Sequence, residues 1–348
     1  PVPEPSESEM PQAKPSPEQV KVKALFLSSW PLSIQSNVDH FIELAKTTEI
    51  NAYVIDIKDD TGYVSYPSDV PIVKEKGTYQ QRFKIEEVVK KFKENGIYVI
   101  GRVVCFKDPL ISKKMPEWAV KNKSGGFLIH NGMTWVNAYN KEAWKYNIDI
   151  AKEALSKGVD EIQFDYVRFP DGNKANMVFP GSGDKKLYEG INDFLAYARS
   201  EMPDATLSAD VFGIICESPE DTEKIGQYLE YIGKDVDYIS PMVYPSHYYS
   251  GQTINKVVFP KPDLDPYNVV YNTLIKAKDR ISAVPDYKAK VRPYLQDFTA
   301  SWLGTGNYMK YGAEEVRQQI KAVYDAGYDE WILWNSTVKY SEDALEKE

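Results

Sequence analysis

The chain has 348 residues, 43% hydrophobic and 13% aromatic, enough for a sizeable core in one barrel or in two ordinary domains. Its net charge of −9 argues against nucleic acid as a partner, because phosphate binding needs a basic surface. No apolar run approaches the roughly 18 residues of a membrane span, and two cysteines, Cys105 and Cys216, make neither a disulfide framework nor a zinc site.

Residues 1–20 hold six prolines with scattered Ser and Glu, the composition of a disordered or extended linker. A tether of this kind commonly follows a signal peptide or lipid anchor, so an exported, envelope-associated or extracellular protein is expected. From residue 21 to 348 the pattern is regular. Short β-branched and aromatic runs predict strands over 22–29, 52–58, 98–106, 161–167, 206–212, 236–244, 291–298 and 330–335. Amphipathic segments predict helices over 37–47, 85–94, 142–157, 187–201, 220–232, 267–280 and 313–326, with 341–348 as the start of an eighth. Gly96, Gly158, Gly233 and Gly327 follow helices and suit the left-handed position after a helix end.

Eight alternating units predict an α/β fold, a single (β/α)8 TIM barrel, over an open doubly wound sheet. No Gly-rich phosphate turn follows the first strand to favour the latter. Lys157-Gly158-Val159-Asp160-Glu161-Ile162 before the fourth strand echoes Ala326-Gly327-Tyr328-Asp329-Glu330-Trp331 before the eighth, which suggests equivalent geometry at the two joints. The strand-to-helix loops are the long ones, at 107–141, 168–186 and 245–266. Barrel active sites are built from such loops at the carboxyl-terminal face. Trp118, Phe127, Trp135, Phe169, Phe179, Tyr248, Tyr249, Trp302 and Tyr308 lie in loops of this kind, and an aromatic rim suits the C–H faces of sugar rings. About half of these rings are expected to fasten the loops to the barrel instead.

The strand ends supply the polar groups. Asp56 and Lys58 share a predicted face of the second strand, Arg102 comes from the third, and Gln163 and Asp165 come from the fourth, with Tyr166 and Arg168 beyond. Ser208 and Asp210 come from the fifth strand, Met242 and Tyr244 from the sixth with His247 after it, Tyr294, Gln296 and Asp297 from the seventh, and Trp334 and Asn335 from the eighth. Asp165 and Asp210 on adjacent strands match the two carboxylates of glycoside hydrolysis. Adjacent strands about 4.8 Å apart favour the close, retaining spacing. Lys58 and Arg102 are expected to hold one carboxylate ionised and leave the other as acid. There is no Gly-x-Ser-x-Gly elbow, His40, His130 and His247 lack metal-ligand spacing, and Lys58 has acidic neighbours that disfavour Schiff-base chemistry. No metal or other cofactor is called for.

Asp160-Glu161-Ile162-Gln163-Phe164-Asp165-Tyr166-Val167-Arg168-Phe169-Pro170 resembles the signature of a bacterial family of predicted glycoside hydrolases of unknown specificity. Ile55-Asp56-Ile57-Lys58-Asp59-Asp60 and Arg292-Pro293-Tyr294-Leu295-Gln296-Asp297-Phe298-Thr299 resemble its second- and seventh-strand motifs, and the likeness runs from about Lys21 to Tyr340. It implies an exported barrel and a reaction class but no substrate. The fourth strand is more distantly similar to the chitinase-type pattern Asp-x-x-Asp-x-Asp-x-Glu. Asp165 matches the last Asp, but Gln163 replaces the middle one and Val167 replaces the catalytic Glu. Amylase-like barrels imply a nucleophile at Asp165, with Asp210 where their acid Glu would stand.

The expectation is hydrolysis or transfer of glycosidic bonds in a polysaccharide or oligosaccharide. Asp165 is the candidate nucleophile or base and Asp210 the candidate acid, with Asp56, Glu217 or Asp297 next in line for that role. Lys58, Arg102 and Arg168 would orient them, and Asp56, Gln163, Tyr166, Tyr244, His247, Gln296, Asp297 and Trp334 complete the sugar site. The alternative is a non-catalytic carbohydrate- or cell-wall-binding barrel that has lost its acid.

Overall fold

Eight parallel strands close on themselves in chain order in the computed structural model, which describes residues 20–347. They are β1 (Lys23–Leu27), β2 (Ala52–Lys58), β3 (Tyr98–Val104), β4 (Glu161–Asp165), β5 (Thr206–Phe212), β6 (Tyr238–Met242), β7 (Lys290–Val291, resuming as Tyr294–Gln296) and β8 (Trp331–Trp334). The pairing Lys23↔Trp331, Ala24↔Ile332 and Leu25↔Leu333 joins the last strand to the first. The helices packed around them are α1 (Gln35–Thr47), α2 (Ile85–Glu94), α3 (Lys141–Ser156), α4 (Leu187–Glu201), α5 (Leu229–Ile232), α6 (Pro266–Ser282) and α7 (Ala313–Asp325). This is a single (β/α)8 TIM barrel. The predicted linker lies outside the described residues except for Val20.

Period two along each strand divides the core. Leu25, Leu27, Tyr53, Ile55, Val103, Ile162 and Phe164 face outward into the main cluster with the helices. Ala24, Phe26, Val54, Ile100, Tyr294 and Ile332 face inward and form a smaller one. Polar side chains fill the rest of the interior in tiers. Near the amino-terminal end Arg292 Nη1 donates to both oxygens of Glu161 at 2.9 and 3.0 Å, while Nε and Nη2 donate to Glu330 Oε1 at 3.2 and 3.1 Å. Ser208 Oγ also donates to Glu161 (2.6 Å), Val22 N donates to Glu330 (3.0 Å), and the Tyr238 ring lies 3.7 Å from the guanidinium. Above this, Tyr294 Oη donates to Gln163 Oε1 at 2.5 Å, and Gln163 Nε2 donates to Ser240 Oγ at 3.3 Å.

The structure departs from expectation at four places. The predicted helix over 220–232 survives only as α5, because Asp221 Oδ1 accepts from the backbone N–H of Ile225 and Gly226 (both 3.0 Å) and so holds a turn in place of a helix. β7 breaks at Pro293, which has no N–H for the ladder. Residues 341–347 make one 3-10 turn, Glu342–Ala344, in place of an eighth helix. Gly233 has φ −88°, outside the left-handed region. It is required for space, since a Cβ there would lie 2.3 Å from the Tyr287 ring.

Candidate active site

The carboxyl ends of β3 to β8 surround a cavity of about 370 Å³. β4 ends at Asp165, and the backbone turns at once: Tyr166 has φ 51°, an uncommon conformation for a bulky residue, and its N–H donates to Asp165 Oδ1 at 2.5 Å. Arg102 on β3 donates to Asp165 Oδ2 through Nε (2.8 Å) and Nη2 (2.6 Å), and its Nη1 reaches Asp56 Oδ1 on β2 at 2.6 Å. One guanidinium thus joins carboxylates from β2 and β4. The rings of Trp334 and Phe26 lie 5.4 and 5.5 Å from it.

Asp210 on β5 is the exception in this tier. It is 2% exposed, and its Oδ1 is buried without a hydrogen-bond partner. The ladder pairs Gln163 with Ser208 and Phe164 with Ala209, so Asp210 is the next position along beside Asp165. Burial, and then the neighbouring charge of Asp165, push the Asp210 carboxyl well above the usual carboxylate range, with Arg102 offsetting part of the rise. Asp56 is raised to about 6 by burial, again against the pull of Arg102. Tyr244 and Tyr294 line the same cavity, their phenols pushed up by burial and by Asp210. The tier therefore holds one carboxyl tied to a guanidinium and one, unpartnered at Oδ1, that burial and a neighbouring carboxylate bias toward its protonated form.

Of the residues expected to form the site, Arg102, Asp165, Tyr166, Arg168, Asp210, Tyr244, His247 and Trp334 line the cavity. Asp56 stands behind Arg102, and Gln163 lies one tier down under Tyr294. Lys58 does not share the face of Asp56. The ladder to β3 shifts register between Asp56 and Lys58, so the lysine turns outward. It is 0% exposed there and pairs with Asp108 (2.7 Å) and Asn147 on α3 (2.8 Å). Gln296 is spent within the wall, accepting from Ser246 N (3.1 Å) and donating to Asp263 (3.0 Å). Asp297 anchors the carboxyl-terminal tail through Ser341 N (2.7 Å) and Oγ (2.8 Å). Glu217, another candidate acid, accepts from Asn255 N at 2.9 Å and does not line the cavity.

Four lining residues escaped sequence reasoning: Phe212, Gly213, Ile214 and Gln227. Gly213 is needed for close approach, since a Cβ would meet Met242 O at 2.4 Å. Gln227 sits in the segment predicted helical and reaches back to hold Phe212 N (2.9 Å) and the carbonyls of Val167 and Asp210 (both 3.3 Å). No spacing rule marks such a residue. Of the rim aromatics, Trp118, Trp135, Phe169 and Tyr248 are buried, while Tyr249 and Trp302 stand free. Trp302 is 65% exposed and stacks on Phe298 (5.9 Å, 23°), which meets Tyr244 edge-on at 5.6 Å.

Among the described residues, no helix is long and apolar enough to cross a membrane, and no group of three His, Cys, Asp or Glu side chains is placed to hold a metal ion.

Several solved structures are similar to this chain. A hypothetical protein from Ruminiclostridium thermocellum ATCC 27405 is 53% identical, covering 55% of this chain and 99% of its own, with a TM-score of 0.52. The PgaB (BpsB) glycoside hydrolase domain from Bordetella bronchiseptica is 12% identical over 90% of this chain and 94% of its own, with a TM-score of 0.64. The spore cortex-lytic enzyme SleL from Bacillus megaterium QM B1551 is 13% identical over 92% and 72%, with a TM-score of 0.52. At 12–13% identity these last two likenesses show the fold alone. No curated protein matches the sequence. Residues 24–340, which hold all eight strands but for Lys23 at the start of the first, and the tier of carboxyls at their ends, match one family throughout, and the chain belongs to it: the family described as "Putative glycosyl hydrolase domain".

Proposed function

We propose that the protein hydrolyses or transfers glycosidic bonds, with Asp165 as nucleophile or base and Asp210 as acid. The observation that carries this reading is the split between two carboxyls on adjacent strands at the floor of one cavity. Asp165 accepts two hydrogen bonds from Arg102, whereas Asp210 is buried, unpartnered at Oδ1 and raised. Protonation of the leaving oxygen by Asp210 and attack by Asp165, or by a water it activates, follow from that division. Arg102 and the left-handed turn at Tyr166 fix the attacking carboxylate, and Tyr244, His247 and Trp334 offer faces to the sugar. The adjacent-strand placement favours retention of anomeric configuration. A polymeric substrate fits the exposed Trp302 at the rim, and the proline-rich composition of 1–20 fits an exported enzyme acting on an envelope or extracellular glycan.

The test is turnover of aryl glycosides and bacterial and plant glycans by the wild-type chain and by Asp165→Asn. Turnover that falls at least about a thousandfold in the variant supports the reading. Glycan binding without turnover, unchanged in the variant, would overturn it in favour of a non-catalytic carbohydrate-binding barrel.

A further inference from the structure

Arg168 is a buried cation that the proposed chemistry leaves unused. It opens the loop after β4, is 6% exposed and lines the cavity. Its protein hydrogen bonds both leave from Nη1, to Phe169 O (3.0 Å) and to Asp171 Oδ1 (3.2 Å). Nε and Nη2 have no protein partner among the described residues, yet neither is among the sealed, unpartnered nitrogens. Both therefore keep some accessible surface, and Arg168 is one of the residues lining the cavity. Three rings surround the guanidinium: Phe212 at 4.5 Å, Trp135 at 4.8 Å and Tyr166 at 5.2 Å. With rings packed around it and Nη1 already bonded, what it has left for hydrogen bonding is the edge where Nε–H and Nη2–H point in parallel. That edge matches the two oxygens of a carboxylate.

The local charges agree. Arg102 is already committed to Asp56 and Asp165. Asp171, the one acid on Arg168, has a side chain 49% exposed and shares its Oδ1 with His130 at 3.0 Å. A single partly solvated acid does little to offset the several kcal/mol that burying a guanidinium costs. If Arg168 only fastened its loop, an uncharged side chain in the aromatic cage would serve with no such cost.

We propose that the sugar bound in this cavity carries a carboxylate and that Arg168 recognises it edge-on. The inference rests on the glycoside-hydrolase reading for the sugar, and on Arg168 alone for the acid. The carboxylate could belong to the ring of a uronic acid or to a lactyl ether on the sugar.

Calorimetry on the full chain carrying Asp165→Asn separates these sources. The probes are a uronic-acid oligosaccharide and a lactyl-ether oligosaccharide, each paired with its carboxyl-reduced alcohol. One acid should bind at least about tenfold tighter than its alcohol, and which one identifies the source. Adding Arg168→Met should erase the difference, whereas Arg168→Lys, which keeps charge but loses the planar fork, should retain part of it. Equal binding of acid and alcohol, no binding of either acid, or a preference that survives Arg168→Met would each overturn the proposal. Should Arg168→Met fail to fold, the acid–alcohol comparison without it still decides. Wild-type turnover of neutral glycans with no preference for acids would remove the role of Arg168 and leave the hydrolase reading intact. Acid-selective binding without any turnover would do the reverse.

Discussion

The two ends of the barrel interior carry the same kinds of side chain to opposite effect. At the amino-terminal end Arg292 bridges Glu161 and Glu330, Ser208 and Val22 N fill further lone pairs, and Tyr238 covers the guanidinium. At the carboxyl end Arg102 likewise bridges Asp56 and Asp165, but a third carboxyl, Asp210, stands beside them with a bare oxygen, and a cavity opens in front. Burying charge costs several kcal/mol in both places. What separates them is closure. In the lower network the acids are bonded to one another's partner and to the strands, so it seals the barrel. The upper one leaves an acid with an unpartnered, sealed oxygen in the wall of the cavity.

The comparison can be broken most sharply by pairing Asp165→Asn with Glu161→Gln. The first should lower turnover at least about a thousandfold beyond any loss of folded protein, since Asp165 faces the cavity while Arg102 keeps only Asp56. The second should cost about 3–5 kcal/mol in denaturant unfolding, because Arg292 loses its doubly bonded partner, while turnover per folded molecule stays the same. If both variants lose turnover equally, the distinction between the two ends fails.

Asp210→Asn comes next. Turnover of substrates with poor leaving groups should fall about a hundredfold, with recovery on dinitrophenyl glycosides that need no proton. Its stability should not fall, since the variant removes a buried carboxyl with an unpartnered oxygen.

Asp56→Asn tests the upper tier through pH. Raised from 3.8 to about 6, the folded-state carboxyl binds its proton more tightly than the unfolded one. It therefore contributes stability in acid that is lost as pH rises through about 6. Relative to Asp56→Asn, the wild-type chain should lose about 3 kcal/mol of unfolding free energy across that window. Parallel titration curves for the two proteins would show that Asp56 ionises normally. The smallest effect is expected at the rim: Trp302→Ala should raise KM about fivefold for long glycans and leave aryl monosaccharides unchanged, the loss of about 1 kcal/mol of ring stacking.

Much of the barrel was legible because burial imposes a period. The strands are short β-branched and aromatic runs set between turn residues, and each of the eight predicted strands is present. The echo between the joints at 157–162 and 326–331 acquires a physical meaning here, since Glu161 and Glu330 begin β4 and precede β8 at matching levels and converge on Arg292. Arg102, Asp165 and Asp210 were legible for the same reason, as polar interruptions on inward positions. Lys58 was misplaced because one register shift reverses every inference from alternation beyond it. Gln227 and Gly213 were illegible because their roles come from tertiary approach, one reaching across a loop and the other yielding space to a carbonyl. Helix periodicity over 220–232 misled because a single Asp side chain outcompeted the helix for backbone amides.

The hydrogen bond from Val22 N to Glu330 joins positions 308 apart. Synthesis at about 5–20 residues per second means that β1 exists for on the order of 15–60 s before its last partner has been made. During that time both rims of the growing sheet are open edges, the kind of surface that recruits other chains. The finished barrel has no such edge between its first and last strands. The exposed edge is therefore a property of the unfinished chain alone, and closure of the last strand on the first removes it.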